Sequence, residues 1–348
     1  MMSVRIGASL CALAIVGTLA ACGSSDDKES NATTAGGKAT KPLNIGLFTT
    51  ENSPLSAKQV ETARKWAADN GAKVTVVDPA FNPQKQYSQL QDAIAQRRFD
   101  AVGLWPMNGP ALAPLVKQAD AAGIAAVAIG APLSADTTTM DINVPGLDGM
   151  TFQTSTKRAG WMAEQAAAAC AGIDPCEVAY LPFIRSIGYE QDNIKAFKEA
   201  IKRHPSIEFL PVLADGLGQR APAVGIAQDL VLAHPNVDVL IAATDLSLLG
   251  AEVGLKKAGK KWGMGPGELR LAGIGGTKQG IQRVKDGEWA STQIFVPEND
   301  MLSGLEILTS AIDGTLSAPK GVDNVSDGKY PPIMTKEAIE QSGFQGQY

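Results

Sequence analysis

The chain has 348 residues, with 31 Lys and Arg against 36 Asp and Glu, a formal net charge of −5, and 45% hydrophobic residues. That is long enough for two lobes of ordinary domain size. With no basic block the chain offers nucleic acid no electrostatic footprint, and after the N-terminal segment no apolar run is long enough to cross a membrane.

Met1–Ala21 carries Arg5 and then an apolar stretch, Ile6–Ala20, with neither acid nor base. It is short for a bilayer span and small residues follow it, so it reads as an export signal. Leu19-Ala20-Ala21-Cys22-Gly23 resembles the bacterial lipobox, which implies that the Cys22 sulfur is diacylated and that Cys22 becomes the first residue of the exported chain. An ordinary signal with an incidental cysteine is the bland alternative. Residues 1–22 are thus a lipoprotein signal and 23–41, rich in Ser, Thr, Gly, Ala and charge, a flexible tether that cannot bury enough surface to order itself.

From Leu43 the chain alternates. Leu43–Phe48 is a strand; Thr49–Pro54 is a loop, and Ser53 or Ser56 caps the helix that runs to Asn70; Lys73–Asp78 is a second strand. In Asn82–Arg98 the residues Tyr87, Leu90, Ala93 and Ile94 recur at helical spacing. Phe99–Trp105 is almost continuously apolar, as a parallel strand covered on both faces should be. Ala111–Ala122 is helical, Gly123 stops it, and Ile124–Ile129 is a fourth strand. Thr138–Val144 is expected to add a fifth, before Pro145–Gly149 breaks the pattern. A second series follows: helices at Thr156–Ala171, Gly188–Arg203, Ala221–Ala233, Leu246–Ala258 and Thr277–Lys285 alternate with strands at Glu177–Leu181, Ile207–Leu213, Val237–Ala243, Leu269–Ile274 and Ala290–Phe295. Glu298–Asp313 is the last long helix. Strand–helix units in two series predict an α/β protein of two doubly wound, Rossmann-like lobes, with ligand sites beyond the carboxyl ends of the strands.

Two of the four cysteines fall in the signal, Cys11 and Cys22; the others, Cys170 and Cys176, bracket a Gly/Pro turn and read as a disulfide outside the cytoplasm. A zinc site is the rival, but a second cysteine pair and a nearby histidine are both missing from the sequence. Catalysis finds little support. His204 and His234 each precede a proline at a helix end, which is turn chemistry. No Gly-x-Ser-x-Gly, His-Glu-x-x-His or phosphate loop occurs. Gly273-x-Gly275-Gly276 follows a strand but lacks the later glycine and the acidic partner of a dinucleotide site. No metal and no cofactor is expected, and the chain does not read as an enzyme.

The run NPQKQYSQLQDAIAQRRFDAVGLWPMNGPALAPLVKQADAAGIAAVAIG (Asn82–Gly130) resembles the N-terminal lobe of type I periplasmic binding proteins, the ribose- and galactose-binding group. Asn193–Pro205, Ala233–Ala251 and Leu271–Glu306 resemble successive segments of that group's second lobe, so the likeness covers nearly everything after residue 42. It implies a periplasmic-binding-protein-like fold, with residues 42–149 plus 297–322 as one lobe and 153–295 plus 326–348 as the other. Three hinge strands would join them near Met150–Gln153, Phe295–Pro297 and Val322–Ser326. The departures are as informative. Where sugar binders of the group carry an Asp-Arg pair after the fourth strand, this chain has Gly130-Ala131. The arginine of the second-lobe helix falls on Asn193, the Phe-Asp pair on Ile274-Gly275, the hinge glutamine on Phe295, and the aromatic pair of the first loop on Leu55-Ser56. Only the Asn-Asp site persists in part, as Thr244-Asp245. These changes remove charge and add apolar surface, which points to a small polyol, a partly apolar hydroxylated molecule or an aromatic compound rather than a pyranose or ribose.

Candidate ligand residues follow from loop position and from that resemblance: Glu51, Asn52 and Ser53 in the first strand–helix loop, Trp105 at a strand end, Phe183 and Asp215 with Arg185 in second-lobe loops, Tyr189 and Asn193 on a helix, Thr244, Asp245, Gly275, and Phe295 at a hinge. Each has a plain structural alternative: Trp105 as a core residue, Glu51 as a solvated one, Tyr189 and Phe295 as packing, Asp245 as a helix N-cap. The resemblance, with the signal, implies a lipid-anchored, extracytoplasmic, monomeric solute-binding component of a sugar-type ABC importer. It would close on its ligand and deliver it to a permease driven by an ATPase. A binding protein feeding a chemoreceptor or receptor kinase, and a surface-anchored carbohydrate-active enzyme, are the alternatives.

Overall fold

A computed structural model describes residues 42–323 and 328–348. The export signal, Cys11, the lipobox with Cys22, the tether and the Asn324–Ser326 part of the third expected hinge lie outside the described residues.

Two six-stranded sheets follow one another along the chain. The first series runs β1 (Asn44–Phe48), α1 (Pro54–Asp69), β2 (Lys73–Val76), α2 (Pro83–Ala95), β3 (Ala101–Leu104), α3 (Gly109–Ala121), β4 (Ala125–Ile129) and β5 (Gly149–Thr151). The second runs α4 (Ser155–Ala169), β6 (Cys176–Leu181), α5 (Gly188–Ile201), β7 (Ile207–Phe209), α6 (Arg220–Ala233), β8 (Val239–Ala242), α7 (Asp245–Lys257), β9 (Arg270–Gly275), α8 (Lys278–Lys285) and β10 (Ser291–Ile294). The chain then crosses back as α9 (Pro297–Ile312) and β11 (Lys320–Val322), and ends with β12 (Ile333–Met334) and α10 (Lys336–Ser342). Strand order is 2-1-3-4-5-11 in the first sheet and 7-6-8-9-10-12 in the second, parallel throughout except for the β10–β12 pair. Order therefore reverses beside β1 in one sheet and beside β6 in the other, and the crevice at such a switch point is where ligands bind in open α/β sheets.

Local chemistry explains the helix starts. Ser53, Asn82 and Asn108 each turn a side-chain oxygen onto the backbone N–H three residues on, and a proline stands in the first turn of each helix, where its missing N–H costs nothing. Both faces of each sheet are covered. α2 and α3 close one side of the first sheet over Leu90, Leu104, Leu115 and Phe152, while α1 and the returning α9 close the other over Ile45, Val127, Leu305 and Leu308. In the second sheet α4 and α5 cover Val178, Tyr180 and Phe197, and α6, α7 and α8 cover Leu240, Leu271 and Trp289. Strands buried on both sides need apolar residues at every position, which is why they read as continuous runs.

One element departs from expectation. Thr138–Val144 is not a strand; the fifth strand is Gly149–Thr151, with Lys320–Val322 beyond it. Asp136 accepts from both the N–H and the hydroxyl of Thr138, and Thr139 Oγ1 accepts from the N–H of Asp141, so side chains take up the backbone groups a ladder would have used. Cys170 and Cys176 are joined as a disulfide, which pins the end of α4 to the start of β6. Among the described residues no helix is long and apolar enough to cross a membrane.

Candidate ligand-binding site

The carboxyl ends of β1, β3, β6 and β8 open onto one cavity of about 190 Å³, lined from both sheets. That is below the ~300–1,000 Å³ of sites that take drug-sized ligands. From the first-sheet side come Asn52, Ser53 and Gln59 at the start of α1, Phe81 from the β2–α2 loop, and Trp105 after β3. From the second come Arg158, Phe183, Tyr189, Glu190, Thr244 and Asp245. Gly275, Phe295 and Tyr348 complete the lining.

Three rings meet across the opening. Phe81, Trp105 and Phe183 pack mutually edge to face, with centroids 6.2–6.4 Å apart, so two rings of the first lobe touch one of the second. Phe81 reaches this place because Ala80 and Phe81 both adopt positive φ, at 52° and 57°. Two successive non-glycine residues in the left-handed region carry strain, which packing of the Phe81 ring offsets. Gly130, at φ 79°, is required for the same wall: a Cβ there would stand 3.1 Å from Gln59 Nε2 and 3.5 Å from the Trp105 ring.

The opposite wall is polar and mostly self-satisfied. Asp245 opens α7, but the N-cap is Thr244, whose Oγ1 accepts from Ser247 N–H. The Asp245 carboxylate points inward instead. Its Oδ1 accepts from Thr292 Oγ1 at 2.7 Å, and its Oδ2 from the N–H and hydroxyl of Thr277 at 2.9 Å. Burial, opposed by those bonds, pushes its pKa up to about 6. Glu190 is buried, and its Oε1 accepts from Tyr180 Oη and from Phe183 N–H; burial raises its pKa, with the Arg158 charge opposing. Tyr189 donates its hydroxyl to the Gln153 carbonyl, and burial pushes its pKa up to about 12. Tyr348 donates to the Gly275 carbonyl and burial holds its phenol protonated.

Of the thirteen residues expected at the site, the structure gathers nine around the cavity: Asn52, Ser53, Trp105, Phe183, Tyr189, Thr244, Asp245, Gly275 and Phe295. Glu51 is placed elsewhere, turned to the surface in an ion pair with Arg64 at 2.6 Å. Asp215 accepts from Arg185 N–H and Nε on an exposed loop. Asn193 is wholly buried behind the wall, against Tyr189 and Glu190. Sequence reasoning missed Gln59, Arg158 and Glu190, which lie inside helices, where spacing does not reveal which face meets the cavity; it also missed Phe81, in the β2–α2 loop, and Tyr348, beyond the last helix. The expectation that charge has left the site is corrected by Arg158, whose guanidinium enters from the first turn of α4 and donates through Nη2 to the Ala243 carbonyl.

The model of the periplasmic binding protein domain family matches residues 47–316. The chain belongs to that family. It is 25% identical over 268 residues to a ribose import binding protein of Salmonella typhimurium, covering 77% of this chain and 84% of that protein. It is also 25% identical over 340 residues to a xylitol-binding protein of Mycolicibacterium smegmatis, covering 97% and 87% of the two. Among solved structures, an ABC transporter solute-binding protein of Mycobacterium smegmatis with bound glycerol superposes with a TM-score of 0.74 at 21% identity, over 88% of this chain and 98% of its own. One from Bacillus halodurans with bound myo-inositol gives 0.72 at 16% identity, over 86% and 96%. These relatives are binding proteins, and this member of the family is a substrate-binding protein of the type I fold, not an enzyme.

Proposed function

We propose that this binding protein is the extracytoplasmic receptor of an ABC importer. It captures a small sugar, polyol or related hydroxylated solute between its two lobes and hands it to a permease driven by an ATPase. The observation that carries the reading is the cavity itself: it is lined from both sheets, so a ligand in it gains contacts only when the lobes are together and stabilises the closed state by that difference in affinity. Residues 42–149 with 297–322, and 153–295 with 326–348, act as the two hinged bodies. The named specificities of the relatives, ribose and xylitol among them, support the solute class. The Leu19-Ala20-Ala21-Cys22 order supports a lipid anchor through Cys22, which holds the receptor as a monomer at the membrane beside its permease.

A thermal-shift panel of pentoses, hexoses, tetritols, pentitols, cyclitols and small hydroxylated aromatics, run on the full-length chain in detergent, tests the proposal. A true ligand at a hundred times its Kd adds about 2.7 kcal/mol of stability. One strong hit without turnover is the expected result. A flat panel would remove the solute class and leave only the fold.

A further inference from the structure

Two lining side chains hold buried polar atoms without a partner, and both atoms are nitrogen donors: Nε of Arg158 and Nε2 of Gln59. Gln59 is 1% exposed and comes from α1 of the first lobe, whereas Arg158 comes from α4 of the second. Of the four side-chain carboxylate oxygens that the lining carries, three serve other donors. Both oxygens of Asp245 serve Thr277 and Thr292, and Glu190 Oε1 serves Tyr180 and Phe183. The Tyr189 and Tyr348 hydroxyl protons go to carbonyls, and neither phenol oxygen is bonded to either nitrogen. A neutral sugar needs acceptors for its hydroxyl protons as well as donors for its oxygens. This cavity has donors in reserve, one of them on a cation, and a buried unpaired donor costs stability until something accepts from it.

We infer that the cavity is built for a hydroxylated solute that carries a carboxylate, a sugar acid or short hydroxy acid, with one carboxylate oxygen accepting from Arg158 and the other from Gln59. The inference rests on the solute-receptor reading above and narrows it. An acceptor-only, planar, charged group is the complement of a guanidinium edge plus an amide N–H. Because the two donors stand on different lobes, the carboxylate joins them, and closure and charge recognition become one event. The rings of Phe81, Trp105 and Phe183 then cover the carbon skeleton, and Asn52 is left for its hydroxyls. Glu190 lies close enough to Arg158 to offset part of its charge, which favours a monoanion over a dianion.

Matched pairs test it: glycerol against glycerate, D-xylose against D-xylonate, and D-galactose against D-galactonate, titrated calorimetrically into the full-length chain in detergent at neutral pH. In at least one pair the acid should bind at least about tenfold tighter than its neutral partner, the scale of a charge-assisted hydrogen bond. Arg158→Met should abolish that preference, and Arg158→Lys should keep part of it. Gln59→Leu, which keeps the cation, should weaken the acid by a larger factor than the neutral partner; it carries the test if Arg158→Met does not fold. Tighter or equal binding of the neutral partner in every pair that binds overturns the inference and leaves the receptor reading standing. Binding of neither member in any pair, with the neutral panel flat as well, overturns both.

Discussion

The two walls of the cavity solve different problems. The first lobe offers rings, Phe81 and Trp105, on a loop bent through two left-handed residues and at the end of a strand. The second offers ionisable groups, Arg158, Glu190 and Asp245, each fixed by partners deeper in its own lobe. Apolar contact tolerates small shifts, so it can be built on loops, whereas buried charge is tolerable only where helix and strand hold every partner in place. Asp245 shows how tight that hold is: a Cβ at Gly273 or Gly280 would come within 2.2 or 2.4 Å of its carboxylate oxygens. Only glycine there leaves room for the carboxylate.

The comparison can be broken hardest on the charged side. Asp245→Ala strands the Thr277 N–H and hydroxyl and the Thr292 hydroxyl, and should cost about 3 kcal/mol or more in urea unfolding. No residue of the ring wall, changed singly, should cost as much stability. Reduction of Cys170–Cys176 acts on the second lobe alone. With a sequence separation of 6 its closed loop is short, and its loss should lower stability by about 2 kcal/mol. On the ring side the effect should appear in binding instead. Trp105→Ala should weaken the ligand identified by calorimetry by about 2 kcal/mol, roughly thirtyfold, while the unfolding midpoint moves little.

A pH profile sharpens the contrast at the seam between the lobes. Asp300, in the first turn of α9, is buried, and burial together with the neighbouring charge of Asp323 pushes its pKa up to about 8. Asp323 pairs with Lys157, and Tyr189 also faces Asp300. A raised carboxylate pKa means the folded state holds the proton more tightly than the unfolded chain. Stability is therefore greatest below about pH 4 and falls as pH rises toward 8. Asp245, with its pKa near 6, contributes the same sign over the lower part of that range. Asp300→Asn should flatten the slope between pH 6 and 8, and at pH 8 should be the more stable protein by at least about 1.4 kcal/mol, the worth of one pKa unit. A wild-type profile that is already flat from pH 6 to 8 would show that Asp300 stays ionised. The smallest effect belongs to Glu51. Its exposed pair with Arg64 predicts that Glu51→Gln changes stability by under about 0.5 kcal/mol and ligand affinity less than twofold.

How much of this was legible beforehand depends on the kind of signal. Both sheets, nearly every helix and the Cys170–Cys176 pair could be read because strand burial, helical spacing and caps such as Ser53 and Asn82 are local patterns, set by residues within a few positions of one another. Thr138–Val144 misled because an alternation suited to a strand was outcompeted by side-chain hydrogen bonds from Asp136 and Thr139. Loop residues at strand ends, such as Trp105 and Thr244, could be placed near the cavity by topology alone.

By itself, then, the chain's residue order determined the α/β alternation, the two-lobe plan and the end of each sheet where a ligand would sit, since those depend on short-range periodicity and on the handedness of strand–helix–strand units. Only the tertiary structure decided which lining residues keep a buried polar atom without a partner. Arg158 and Gln59 lie on helices about a hundred residues apart in sequence, and their donors are spare while the carboxylates of Asp245 and Glu190 accept from other groups within the fold. Whether a buried polar group is spent or free is a property of every neighbour at once, and no local pattern carries it.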